Sequence, residues 1–388
     1  MRRTIIATTL ATALTLAACS SDGDDTAAEA TTTTPPTTIP CPEPELMPGV
    51  ELGDAELRFT DDCLAFVRTP DEQFEDLDGF PFAPNYTTVD GLRVHYVDEG
   101  PEDGEVVLML HGEPSWSYLY RDMIPAIADA GYRVIVPDLV GMGRSDKPVE
   151  QDAYSYLQHV EWVKELLDAL ELDDVTVVVQ DWGSLIGLRV VGDLPDRFAR
   201  VVIANGRLPV VPEGFRPATL PDPPVLDPDL ELPFAQPCDL PGLGCFGKWA
   251  TYALTSPNLR ASEVVERLTA TELSPAEEAA YDAPFPSLAY MTGPRVFPSL
   301  INTLGEAPTN QAAREVFLAW EKPLLTVFGR LDPNLGSEVV QAEMRDYVPG
   351  AEGQEHHAYT DAHHFIQEDK GADLARRIVE FLDANPLS

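Results

Sequence analysis

VTVVVQDWGSLIG, Val175–Gly187, is the stretch on which the fold turns. Val175 to Val179 are all β-branched, which suits one strand of a parallel sheet buried on both faces. Leu185 and Ile186 begin the apolar face of a helix. Between strand and helix lies Val179-Gln180-Asp181-Trp182-Gly183, a frame of the form small-x-nucleophile-x-small. That is the layout of a nucleophile elbow, a sharp turn that lifts one side chain out of the carboxyl edge of the sheet. The lifted residue here is the carboxylate Asp181. A carboxylate nucleophile makes an ester with its substrate, so the atom it attacks is expected to be a saturated carbon and not a carbonyl.

Working outward, strands and helices alternate, which implies a doubly wound, mostly parallel α/β sheet. Strands are expected at Leu92–Asp98, Glu105–Leu110, Tyr132–Asp138, Val201–Ala204, Pro323–Gly329 and His356–Thr360. Helices are expected at Ser117–Ala130, His159–Leu170 and Leu374–Leu382. Phe66–Asn85 lacks periodicity and reads as an arm wrapped on the core. From Arg207 to Gly244 there are ten prolines and no strand pattern. Helical patterns then follow at Ala261–Thr269, Pro275–Tyr281 and from Tyr290 onward. This is expected to be a helical cap over residues 206–304, inserted between core segments 46–205 and 305–388.

The chain has 388 residues, enough for one large α/β domain with such an insertion. Lys and Arg total 26 against 65 Asp and Glu, giving a net charge of −39. A surface this anionic repels nucleic acid and anionic lipid, so neither is expected as a partner. It keeps the protein soluble, and it equally suits saline water, where salt screens its self-repulsion.

The first residues read as a targeting signal. Arg2 and Arg3 precede a short apolar run, Ile5–Leu16, too short to span a bilayer. Leu16-Ala17-Ala18-Cys19 resembles a bacterial lipoprotein box. Residues 1–18 are thus expected to be a cleaved signal peptide, with Cys19 lipidated on the outer side of the cell membrane or in the periplasm. The plainer alternative is an ordinary secretory signal with a chance cysteine. Residues 19–45, rich in Thr, Pro, Asp and Ala, read as a disordered tether. Cys41, Cys63, Cys238 and Cys245 remain, an even number suited to disulfides in an oxidising compartment. Of the possible pairings, short loop closure favours Cys41–Cys63 and Cys238–Cys245. The pairs His356-His357 and His363-His364 lack the companions of a zinc site, and no metal or cofactor is expected.

A carboxylate nucleophile needs a base to hydrolyse its ester, an acid to orient that base, and donors for the oxyanion. The segment Asp361-Ala362-His363-His364-Phe365 follows the last expected strand and offers the base. Asp332 follows the strand before it and offers the acid. Nucleophile, acid, histidine is the chain order of an α/β-hydrolase triad. The oxyanion donors expected are the backbone N–H of Trp182 and, after His111-Gly112, that of Glu113.

With these in place, the run from His111 to Pro148, VVVQDWG, WATYALTSP, APFP, RVFP and DAHHFIQE together resemble the haloalkane dehalogenases. Among them the resemblance is greatest to the subfamily that degrades 1,2-dichloroethane. It runs from about Arg68 to the C-terminus, dense in the core and patchy in the cap. It implies an α/β-hydrolase fold with a helical cap and a hydrolase acting on carbon–halide bonds. Asp181 would be the nucleophile, His364 the base (rather than His363) and Asp332 the acid. Trp182 and Trp249 would hold the halide by their donor-only indole N–H groups, although Trp249 could serve packing alone. Phe246, Leu185, Phe297, Pro298 and Leu335 match apolar wall positions. The partners implied are a small haloalkane, halide and water, with a monomer expected and the membrane met only through the lipid anchor. Ser184 in place of a glycine, His363 in place of a small residue, and the long proline-rich lead into the cap depart from the family.

Two rivals stand beside this reading. An epoxide hydrolase shares the Asp-His-Asp set and would need cap tyrosines to protonate the epoxide oxygen; Tyr252, Tyr281 and Tyr290 are available. A catalytically inactive surface-binding lipoprotein would release neither halide nor diol.

Overall fold

In the computed structural model, which describes residues 40–208, 210, 217–233, 244–306 and 309–387, the run Val175–Val179 is a strand buried at every position. In chain order the strands are β1 (Leu57–Phe59), β2 (Ala65–Val67), β3 (Asn85–Val89), β4 (Leu92–Glu99), β5 (Val106–Leu110), β6 (Arg133–Pro137), β7 (Lys147–Pro148), β8 (Val175–Val179), β9 (Phe198–Ala204), β10 (Leu324–Gly329) and β11 (His357–Tyr359). One sheet has the order β11-β10-β9-β8-β5-β6-β4-β3. Pairing is parallel from β11 through to β6 and antiparallel for β6–β4 and β4–β3. The chain enters the parallel part of the sheet at β5, moves outward to β6, then crosses back to β8. The order therefore reverses between β5 and β8, and at such a switch point the carboxyl ends of two neighbouring strands open a crevice for ligand.

The described helices are α1 (Ile124–Asp129), α2 (Tyr156–Ala169), α3 (Asp181–Asp193), α4 (Gly244–Thr255), α5 (Ala261–Arg267), α6 (Pro275–Asp282), α7 (Thr292–Val296), α8 (Thr309–Leu318), α9 (Glu338–Tyr347) and α10 (Ile366–Ala384). Alternate side chains of the strands meet different helices, as a pleated sheet requires. Leu108, Leu110, Val177 and Val179 pack with α2 and α3, whereas Val107, Met109 and Val178 pack with α1 and α10. Each such fully buried valine or leucine is worth about 1.5–3 kcal/mol. Helices α4 to α7 lie in sequence between β9 and β10. Ser274 and Glu277 close a capping box at the start of α6.

The structure differs from the sequence expectation at several points. The wrapped arm ends in a strand, β3, that forms the sheet edge, and β1, β2 and β7 make a small second sheet. Ser117–Ala130 is a 3₁₀ turn, Ser117–Tyr120, followed by the short α1. Helices α8 and α9 are additional, and α8 packs on α3. The last helix begins at Ile366, with a break at Lys370 next to Gly371. Cys41 is bonded to Cys63, and the Glu45 N–H donates to Glu150 Oε1 at 2.9 Å. The chain is thus held from Cys41, inside the stretch expected as tether. The signal peptide, Cys19 and the Cys238–Cys245 pairing lie outside the described residues.

Candidate active site

Asp181 is the first residue of α3, and its φ is +49°. A side chain seldom adopts that left-handed backbone, and the surroundings hold it there. A Cβ on Gly183 would stand 2.2 Å from the Leu110 carbonyl oxygen, and one on Gly112 would stand 2.3 Å from the Asp181 Cβ. Only glycine lets the elbow close on β5 in this way. The Asp181 N–H donates to the Asn205 carbonyl at 3.1 Å. The Glu113 N–H donates to Asp181 Oδ1 at 3.0 Å, so one expected oxyanion donor already touches the nucleophile. The Trp182 N–H, on the first turn of α3, is among those a helix start leaves without an intrahelical acceptor. Ser184 uses its hydroxyl to tie the elbow together. It donates to the Asp181 carbonyl at 2.5 Å and accepts from the Arg207 N–H at 3.0 Å.

The other carboxylate oxygen, Oδ2, lies 3.4 Å from His364 Nε2. His364 Nδ1 lies 2.8 Å from Asp332 Oδ2. Asp332 is buried, and its Oδ1 accepts from the N–H groups of Asn334 at 2.8 Å and Leu335 at 3.0 Å. Burial opposes the Asp332 charge, but His364 and those N–H groups outweigh it and hold its pKa below the ordinary value. Burial likewise opposes a charged His364. The carboxylates of Asp332 and Asp181 prevail and raise its pKa to about 10. His363 points elsewhere: its Nδ1 accepts the His364 N–H at 2.9 Å. Of the adjacent pair, the structure brings only His364 to both acids.

A small cavity opens above Asp181. Glu113, Asp181, Trp182, Phe246, Trp249, Val264, Leu268, Asn334 and His364 line it. Trp182, Trp249 and Phe246 therefore stand where expected. The other four expected wall residues do not line it. Phe297 and Leu185 belong to the apolar cluster behind Trp182, Phe297 meeting that ring edge-on at 5.3 Å. Leu335 contributes its N–H to Asp332, and Pro298 is absent from the lining. No tyrosine lines the cavity among the described residues. Tyr281 gives its hydroxyl to Glu368, Tyr252 stacks on Trp249, and Tyr290 packs in a separate cluster with Ala65 and Val67.

Several residues of the site were not foreseen. Val264 and Leu268 come from one face of α5 and its end, four residues apart. The Gln180 side-chain amide lies 3.2 Å from His364 Nε2. Asn205 joins three parts of the site. Its carbonyl holds the elbow, its Nδ2 donates to Asp332 Oδ2 at 3.0 Å and to the His363 carbonyl at 2.9 Å, and its Oδ1 accepts the Gly329 N–H at 2.6 Å. The available signal was Asn205-Gly206 at the end of a strand, a dipeptide that favours left-handed turns; Asn205 has φ +46°.

A family profile described as the alpha/beta hydrolase fold matches residues 105–239. A haloalkane dehalogenase of Mycobacterium marinum is 45% identical over 323 residues, covering 81% of this chain and 99% of that protein. One of Psychrobacter cryohalolentis is 40% identical over 336 residues, covering 83% of this chain and all of that protein (100%). Among solved structures, the haloalkane dehalogenase DpaA of Paraglaciecola agarilytica NO2, described as tetrameric, superposes with a TM-score of 0.67 at 32% identity, covering 80% of this chain and 97% of that one. With the triad standing on a doubly wound sheet beneath a cavity faced by two tryptophans, the chain belongs to the haloalkane dehalogenase family of α/β hydrolases.

Proposed function

We propose that the protein hydrolyses the carbon–halogen bond of a short haloalkane to an alcohol and a halide. The observation that carries this is Asp181: a carboxylate on the elbow, held by the Glu113 N–H and facing His364 inside a small apolar cavity. In the first step Asp181 attacks the halogen-bearing carbon, the carbon–halogen bond breaks, and the negative charge passes from Asp181 to the halide. Trp182 and Trp249 are the donors for that halide. In the second step water attacks the ester carbonyl, His364 takes its proton, and Asp332 stabilises the imidazolium. The oxyanion is received by the N–H groups of Glu113 and Trp182.

Charge sets the order of these steps. In the free site two carboxylates keep the imidazole protonated to about pH 10. Ester formation neutralises Asp181, removes one of them, and so favours release of the imidazole proton to solvent. His364 then becomes a base at the point where a base is needed. The test is halide release from a panel of bromo-, iodo- and chloroalkanes, run beside diol release from epoxides. Diol without halide would favour the epoxide reading, against which it speaks that no tyrosine lines the cavity among the described residues.

The finer assignment to the 1,2-dichloroethane-degrading group rests on Glu113 and Trp249, and the relative rate on 1,2-dichloroethane within that panel checks it. The exported, Cys19-lipidated state is supported by the pattern of residues 1–19 and by the Cys41–Cys63 bond, which suits an oxidising compartment. Radiolabelled fatty acid incorporation that survives Cys19→Ser would refute it. The monomeric state is tested by light scattering, with the tetramer described for DpaA as the contrary outcome.

A further inference from the structure

Arg295, on α7, is fully buried. Its Nη2 donates at 2.5 Å to the Leu254 carbonyl, in the last turn of α4, on which α7 packs. Its Nε and Nη1 have no hydrogen-bond partner, and no carboxylate pairs with it among the described residues. Arg121, Arg189 and Arg200 are buried too, but each has an acid: Glu368, Asp193 and Glu105. Burial lowers the Arg295 pKa to about 10, which leaves it charged at neutral pH. A buried charge without a partner is costly. The end of α4 repays part of that cost, since a helix C-terminus favours a cation. The Leu254 carbonyl by itself asks for no charge, because a neutral amide could satisfy it as well.

The other end of the argument is the cavity. Helix α4 supplies Phe246 and Trp249 to its wall, and no lysine or arginine lines it among the described residues. Asp181 and Asp332 face one imidazolium, His364. Even with Glu113 protonated, as its raised pKa favours, the free site therefore carries one net negative charge. A bound halide makes that two, in a chain whose net charge is −39. Two neutral indoles offer donors but no opposing charge. Leu254 lies five residues beyond Trp249 on α4, about 8 Å along the helix axis. With its hydrogen bond added, the guanidinium stands roughly 12 Å from the indole. The path between them is buried protein, where salt screens little.

We propose that Arg295 is the counter-charge of the halide site: a buried cation, fixed at the end of the helix that carries Trp249, which raises the cavity's affinity for a monovalent anion without touching it. The inference rests on the dehalogenase reading. At roughly 12 Å and an effective dielectric of about 20, one unit charge changes anion affinity by about tenfold. In the first step charge only moves from Asp181 to the halide within one cavity, so that step changes little. Arg295 governs how tightly the product halide is held.

Bromide titration of indole fluorescence in wild type, Arg295→Lys and Arg295→Gln tests this, with near-ultraviolet circular dichroism confirming the fold of each. The lysine keeps charge and donor and should bind bromide within about threefold of wild type. The glutamine keeps a donor for Leu254 and loses the charge, and should weaken bromide about tenfold. A neutral ligand should not notice the change. The bromoalkane concentration that half-saturates the first-turnover burst should stay within about twofold in both variants. Wild-type bromide affinity in Arg295→Gln overturns the proposal, and so does a lysine variant as weak as the glutamine. Equal weakening of bromide and bromoalkane in Arg295→Gln makes the residue structural and overturns it as well. Should Arg295→Gln not fold, Arg295→Lys decides by pH. A buried lysine without an acid has a lowered pKa, so its bromide affinity should drop about tenfold at an alkaline pH where wild type still binds; identical pH courses refute the counter-charge. Wild-type bromide release from a bromoalkane stands apart from these outcomes. Turnover with no effect of Arg295 on bromide sinks this inference alone, whereas absence of turnover sinks the reading beneath it.

Discussion

Asp332→Asn separates the two half-reactions. Asp332 Oδ1 accepts two backbone N–H groups, from Asn334 and Leu335, which fixes the oxygen of an introduced amide on that side. Its NH₂ would then face His364 Nδ1, now 2.8 Å from Oδ2. Two donors cannot share that contact, so Nδ1 must become an acceptor and the ring proton must move to Nε2. The nitrogen that faces Asp181 and the attacking water would then carry a proton and could take no other. The lost charge adds to this. At 2.8 Å and an effective dielectric of about 20, a full charge pair is worth up to about 6 kcal/mol. The imidazolium spreads its charge over two nitrogens, so about half of that, ~3 kcal/mol, is expected. That is roughly a hundredfold in rate, and the wrong tautomer takes the total to about 10³–10⁴, comparable to the same change in serine-protease triads. The first step uses neither effect and should slow by less than about tenfold. Rapid-quench experiments with a bromoalkane should show a burst of bromide near one equivalent per enzyme, then almost none. Intact-protein mass should show an alkyl adduct. Turnover within tenfold of wild type, with no burst and no adduct, would refute the roles given to Asp332 and His364 together.

Asp181→Asn should abolish turnover while bromide still quenches indole fluorescence; activity near wild type, once deamidation to Asp is excluded by mass, would falsify the nucleophile. His364→Ala should trap the alkyl ester and His363→Ala should not, since only His364 reaches both acids; the opposite result would move the base by one position. Trp249→Phe keeps the ring and removes the indole donor, a loss of about 1.5–3 kcal/mol and so roughly tenfold or more in bromide affinity; equal titration curves would make Trp249 structural. The pH dependence of stability has a defined sign. His364's folded pKa of about 10 exceeds its ordinary value of 6.5, so its contribution is complete below about pH 6.5 and disappears as pH rises toward 10. Thermal melts should show that decline in wild type and a shallower one in His364→Gln, and identical slopes would count against a protonated resting His364.

The parts of the fold that could be read were those where local chemistry and tertiary role agree. Val175–Val179 is β-branched because it is buried on both faces, so pattern and burial give one answer. The same holds for β5, β9 and β10. The elbow could be read because its glycines are forced by close approach to Leu110, and the triad because each member follows a strand. Where the agreement fails, the reading fails. Asn85–Val89, NYTTV, is a sheet edge with few buried positions, and its polar residues hide the strand. In α9 only Gln341 and Met344 are buried, too few for an apolar stripe. Four of the five expected wall residues lie outside the cavity lining, because apolar periodicity says that a helix buries a face, not which cavity that face meets. Val264 and Leu268 look no different in sequence from Leu185 and Phe297, which pack behind the wall.

Function adds a second reason for what stayed hidden, and it is electrostatic. Three acidic side chains surround one imidazole, and nothing in their identity ranks them. Asp332 has two backbone N–H groups, the Asn205 amide and His364, and is held ionised. Glu113 has a buried Oε1 with no partner, and burial and the neighbouring Asp181 carboxylate push its pKa well above the ordinary carboxylate range. Environments that push like groups apart are how acid, base and nucleophile are told from one another. Here burial, the facing His364 or Asp181 and the backbone amides decide the matter, and residue letters do not display which side chain meets which. Asn205 shows the same principle. It does not line the cavity, yet it fixes the elbow through Asp181, the acid through Asp332 and the base loop through His363. A sequence motif names the atoms that react. The hydrogen bonds between strand ends decide which of those atoms is charged when the substrate arrives, and in this chain most of those bonds converge on Asn205 and the elbow it holds.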